Sequence, residues 1–97
     1  MRRTKLICTI GPASDDLQTI TNLIESGMDV ARINFSHGNL ELHATSIKKI
    51  RQASRQAGKR VAILVDTRGP EIRIRDFQQK EVELVEGAGF VLTTADY

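Results

Sequence analysis

The chain has 97 residues, 40% of them apolar and 27% charged, with a formal net charge of +2. This is the composition of an ordinary folded protein, not of a disordered one, and the length admits one small domain and no more. Three Phe, one Tyr and no Trp leave few platforms for stacking on bases, and the basic residues are scattered, which argues against a nucleic-acid partner.

Residues 5–10 open the chain as a buried strand. Its apolar run, Leu6 to Ile10 with Thr9 inside it, is too short for a signal-peptide core or a membrane span, so no membrane partner is expected and the cytoplasm is the default location. Cys8 is the one cysteine, which excludes an internal disulfide and a thiolate zinc cluster; in an apolar run it reads as a small buried hydrophobe. A helix follows, with Leu17, Ile20, Leu23 and Ile24 on one face. Ser14, Asp15 and Asp16 supply its cap and first-turn acids, and Gly27 ends it. Residues 30–34 form a second strand. In the second helix Ile47, Ile50, Ala53 and Ala57 make the apolar stripe, Lys48, Lys49, Arg51 and Arg55 take the wet side, and Gly58 closes it. The third strand, 61–66, does not alternate, which suits a parallel sheet covered on both faces.

The order β-α-β-α-β has the repeat length of βα units. After the turn dipeptide Gly69-Pro70 the texture changes. Short alternating runs at 71–77, 81–85 and 90–94, separated by 78–80 and 87–89, predict antiparallel strands of a different substructure. Three parallel strands cannot close a barrel that needs eight strands and about 250 residues, so the chain reads as the front of a larger protein. A small three-stranded α/β domain is the alternative.

Parallel strands bring their carboxyl ends to one side, where ligands bind in both open α/β sheets and βα barrels. Arg32, Asn34 and Ser36 alternate along one face of the second strand, and His37-Gly38 follows. The first strand runs into Gly11-Pro12, which lacks the Gly-Lys-Ser/Thr ending of a P-loop. The third ends in Asp66-Thr67, with Arg73 shortly after. Asn34, Ser36, Asp66 and Thr67 offer hard oxygens with one charge among them, which suits a weakly charged cation; a plain Arg32–Asp66 ion pair is an equally good reading. Arg32 and Arg73 could clamp a phosphate or carboxylate, or else pair with Asp66, Glu71 or Asp76. His37 could serve a nucleotide or simply lie exposed; His43 reads as structural.

Three blocks carry a resemblance: Thr4-Lys5-Leu6-Ile7-Cys8-Thr9-Ile10-Gly11-Pro12-Ala13-Ser14, then Gly27-Met28-Asp29-Val30-Ala31-Arg32-Ile33-Asn34-Phe35-Ser36-His37-Gly38, then Asp66-Thr67-Arg68-Gly69-Pro70-Glu71-Ile72-Arg73. Together they closely resemble the opening of the pyruvate kinase family, in its order and nearly its spacing. The resemblance implies an α/β fold: the first three βα units of a TIM-type (β/α)8 barrel over 1–69, then the start of an inserted β-rich lid domain over 70–97. It implies phosphoryl transfer from phosphoenolpyruvate to ADP, giving pyruvate and ATP, in a cytoplasmic glycolytic enzyme that is a homotetramer at full length. Arg32 and Arg73 would be catalytic, with Arg32 on phosphoenolpyruvate. Asn34, Phe35, Ser36, His37 and Arg73 would face the nucleotide, and Asn34, Ser36, Asp66 and Thr67 would hold a potassium ion.

Glu71 stands where a Lys goes with potassium independence, which implies potassium dependence here. Arg68 departs from the more usual Lys, and Leu42 lies where some relatives carry an aromatic against the adenine. The catalytic lysine and the magnesium ligands of the family come after residue 97, so Mg²⁺ would be bound elsewhere and the 97 residues alone are expected to be inactive. A non-catalytic truncated or degenerate chain with weak phosphate or ion binding is the alternative. Another barrel enzyme would need a different second block.

Overall fold

The computed structural model describes residues 2–95; Met1, Asp96 and Tyr97, and with them the two ends of the expected 1–69 and 70–97 segments, lie outside the described residues. The elements are β1 (Ile7–Thr9), α1 (Leu17–Ser26), β2 (Val30–Asn34), α2 (Leu40–Gln56) and β3 (Ala62–Asp66). The strands form one parallel sheet in the order β1-β2-β3. Cα partners run Ile7–Val30, Thr9–Arg32, Arg32–Leu64 and Asn34–Asp66. This is the expected β-α-β-α-β order, with the third unit represented by its strand.

The helices start and stop for legible reasons. Asp16 caps α1, its Oδ1 accepting from the Thr19 N–H at 2.8 Å, and its carboxyl is held below the ordinary range first by the Thr19 side chain and then by that backbone bond. Only Asp16 takes the expected capping role. The helix begins at Leu17, so Ser14 and Asp15 precede it and its first turn holds no acid. Gly27 ends α1 with φ 116°, a left-handed conformation that costs glycine little. Asn39 caps α2 through the Leu42 N–H at 2.9 Å, and Gly58 with φ 64° follows the last turn.

The core lies between the helices and one face of the sheet: Ile10, Ile20, Ile24, Met28, Ala31, Ile33, Ile50, Ala53 and Val61 are buried. Alternation along β2 sends Ala31 and Ile33 into this core and Arg32 and Asn34 to the opposite face. At the other end of the sheet Asp29 ties the chain start down. Its Oδ2 accepts from the Leu6 N–H at 2.9 Å, and Arg2 and Lys5 lie 3.5 and 3.7 Å from its carboxylate.

The strands expected at 71–77, 81–85 and 90–94 are not formed; among the described residues no helix or strand follows Asp66. The turns between them are present. The Lys80 N–H donates to the Phe77 carbonyl at 2.9 Å and the Ala88 N–H to the Val85 carbonyl at 3.1 Å. Alternating runs of five to seven residues gain little until a sheet covers their apolar side, and here Ile72, Ile74, Leu84, Val91 and Leu92 are exposed.

Candidate functional site

Arg32 is fixed by the register of the sheet, with Thr9 on one neighbouring strand and Leu64 on the other. Its Nε donates to Asp66 Oδ2 at 3.1 Å, a second guanidinium nitrogen bonds the same oxygen, and the third donates to Thr9 Oγ1 at 2.9 Å. All three strands thereby hold one half-buried guanidinium. The ion pair weighed from the sequence is present, and it leaves Asp66 Oδ1 free of Arg32.

Beyond Asn34 the chain turns sharply. Asn34 Oδ1 accepts from the Ser36 N–H at 3.0 Å, closing a side-chain-to-backbone turn. The Phe35 N–H donates to the Asp66 carbonyl at 2.9 Å, so β2 and β3 stay joined past their last paired residues. The turn sends Ser36 toward the segment after β3. Ser36 Oγ donates to Glu71 Oε1 at 3.4 Å, and Arg73 Nε donates to Glu71 Oε2 at 3.0 Å. The Glu71 carboxyl is held below its ordinary range, first by the Arg73 hydrogen bond, with the Arg73 charge, Ser36 and Arg68 adding to it. Arg73 is raised by the same partner.

Two sets thus meet beyond the strand ends, the pair Arg32–Asp66 and the chain Asn34–Ser36–Glu71–Arg73, joined through the backbone bond from Phe35 to Asp66. Thr67 follows Asp66, exposed, and His37 is exposed beside the loop. The Phe35 side chain turns the other way: it packs against the core and stacks on His43, with ring centroids 4.3 Å apart and planes 9° from parallel. Among the described residues no group of three or more His, Cys, Asp or Glu could hold a metal.

A cavity of about 590 Å³ opens between the carboxyl ends of β1 and β2 and the first turns of α2. Asn34, His37 and His43 line it beside Pro12, Ile33 and Leu42, and Asp15 lies at its edge. Sequence reasoning missed Asp15 and His43 as part of this region. The position of Asp15 just past the end of β1 was the available signal; for the Phe35–His43 stack, formed across a loop, there was none.

A parallel α/β sheet with its polar groups gathered beyond the strand carboxyl ends belongs to the βα class of ligand-binding proteins. The model of the pyruvate kinase barrel domain matches residues 1–97. The chain belongs to the pyruvate kinase family. It is 48% identical over 93 residues to pyruvate kinase of Bacillus licheniformis, covering 96% of this chain and 16% of that one. Against the Geobacillus stearothermophilus enzyme it is 47% identical over 95 residues, covering 98% and 16%. A crystal structure of pyruvate kinase from Cryptosporidium parvum superposes with a TM-score of 0.70 at 45% identity, covering 72% of this chain and 14% of that one. The chain therefore spans about a sixth of the length of the relatives it matches. Among the described residues no helix is long and apolar enough to cross a membrane.

Proposed function

We propose that this chain supplies part of an active site that transfers a phosphoryl group from phosphoenolpyruvate to ADP, giving pyruvate and ATP, in a full-length cytoplasmic homotetramer. In this reading residues 1–69 are the opening of a (β/α)8 barrel and 70–97 begin a β-rich lid. The observation that carries it is the gathering of two hydrogen-bonded sets at the strand ends, Arg32 with Asp66 and Asn34 with Ser36, Glu71 and Arg73, brought together by the Asn34–Asp66 register and the backbone bond from Phe35 to Asp66. Phosphoryl transfer rests mainly on positioning and on stabilising spread negative charge, which is what braced guanidinium groups supply.

Arg32, held by Asp66 and Thr9, would bind the anionic end of phosphoenolpyruvate. The loop from Asn34 through Phe35 and Ser36 to His37, with Arg73, would face the nucleotide phosphates; Phe35 contributes backbone there, since its ring is committed to His43. Asn34, Ser36, Asp66 and Thr67 fit a potassium ion: they are hard oxygen donors, Asn34 and Asp66 share a register level, and one Asp66 oxygen is not used by Arg32. When bound, potassium adds positive charge beside the anionic substrates. Magnesium would be held by residues other than these.

The test is pyruvate formation by the full polypeptide encoded by the gene, with phosphoenolpyruvate, ADP and Mg²⁺, in K⁺ or in tetramethylammonium. Turnover that needs K⁺ is expected, and none from residues 1–97 alone. No turnover at full length overturns the activity. Equal turnover in both cations overturns the potassium site alone, and pyruvate from residues 1–97 overturns the need for the rest of the enzyme.

A further inference from the structure

His43 reaches from α2 to the loop that leaves β2. Its backbone is set by the first turn of the helix, where the His43 N–H donates to the Asn39 carbonyl at 3.0 Å. Its half-buried ring meets the loop at two places. At one it stacks on Phe35, which is itself anchored against the core. At the other it lies against Gly38, where φ is 74° and an added Cβ would come within 3.2 Å of His43 Cε1. Both contacts depend on a flat ring, which a phenyl group supplies as well as an imidazole. The residues between these two grips face outward, Ser36 half-buried and His37 exposed. They sit on a turn closed by Asn34, whose Oδ1 accepts from the Ser36 N–H and whose carbonyl accepts from the His37 N–H at 3.4 Å.

We infer that His43 is a positioning residue: by gripping Phe35 and Gly38 it holds the loop from Asn34 to His37 in the shape that presents its donors to the phosphates of ADP. The inference rests on the nucleotide reading of that loop. A loop left loose must be ordered when the nucleotide binds, and that cost appears as weaker binding. Arg32 is held by side chains of the neighbouring strands and does not depend on the ring. Loss of the ring should therefore fall on ADP and not on phosphoenolpyruvate.

The test is steady-state kinetics of the full polypeptide, with hydrogen exchange across the loop read by mass spectrometry. His43→Ala is expected to raise the KM for ADP about fivefold, the factor an aromatic stack is worth, with kcat and the KM for phosphoenolpyruvate little changed. Exchange across 34–38 should quicken by about the same factor. His43→Phe keeps the flat ring and should restore both readings. His43→Leu fills the space without a stacking face and should restore neither. A residue needed only to pack α2 would accept leucine as readily as phenylalanine, and this comparison stands even where the alanine variant fails to fold. Wild-type values of both readings in His43→Leu overturn the inference, as does a KM for phosphoenolpyruvate raised as much as that for ADP. Faster exchange with an unchanged KM for ADP also overturns it, by removing the nucleotide reading of the loop while leaving the grip of the ring. In each case wild-type turnover with ADP leaves the phosphoryl-transfer reading standing. Absence of that turnover removes both.

Discussion

At the scale of single residues the site holds two sets of contacts, the Arg32–Asp66 pair and the Asn34–Ser36–Glu71–Arg73 chain, and the Glu71–Arg73 link is the outermost member of the second. Glu71 has a carboxyl held below the ordinary glutamate value of 4.5, with Arg73 as the first cause. A depressed folded-state value means that the link favours the folded arrangement above that ordinary value and is lost as pH falls through the lowered one. An NMR titration of the Glu71 carboxyl carbon should give a midpoint below 4.5 that rises in Arg73→Ala. A midpoint unmoved by that substitution would contradict the assignment. The residue scale was only partly legible in the sequence. Arg32 with Asp66 could be weighed because strand alternation and parallel register bring them together. Asp15 could not, because Ser14, Asp15 and Asp16 are all good capping residues and only the backbone decides which one caps. His43 meets Phe35 because the intervening loop folds back, and no periodicity reports that.

At the scale of elements, strands and helices do separate work. The sheet sets the level at which Thr9, Arg32 and Leu64 stand, and Asn34 opposite Asp66. Helix α2 starts at Leu40, well before the apolar stripe that begins at Ile47. Leu40 and Leu42 are 76% and 55% exposed, so the first turn adds nothing to a core stripe, and its start depends on the Asn39 cap. Asn39→Ala should lower stability by about 1 kcal/mol in urea denaturation; a midpoint equal to the wild type would show that the cap is not what holds this end. The three α/β strands were readable from their apolar runs, but the burial expected of them was not: β1 and β3 leave Ile7 and Leu64 exposed, because helices cover only one face of the sheet. The segments after Pro70 were readable as turns, at 77–80 and 85–88, but not as strands. A turn is a local matter of three or four residues, whereas a strand requires a partner that alternation cannot supply.

At the scale of the whole molecule the two faces of the sheet are unequal. One carries the core under α1 and α2. The other carries Arg32 and Asn34 together with Ile7 and Leu64, which are 57% and 38% exposed. In the barrel proposed above such a face would turn inward, toward the other strands, with its carboxyl end at the active-site side of the barrel. The central claim is that Arg32, braced by three strands, is the anchor for an anionic substrate there. Its most direct test is kcat/KM for phosphoenolpyruvate in the full polypeptide carrying Arg32→Met. A side chain of similar reach without donors should lower kcat/KM about a hundredfold or more, by removing a charge-assisted contact to the substrate's negative charge. A folded variant that turns over phosphoenolpyruvate with the wild-type kcat/KM would contradict the account, and would leave Arg32 as a structural partner of Asp66.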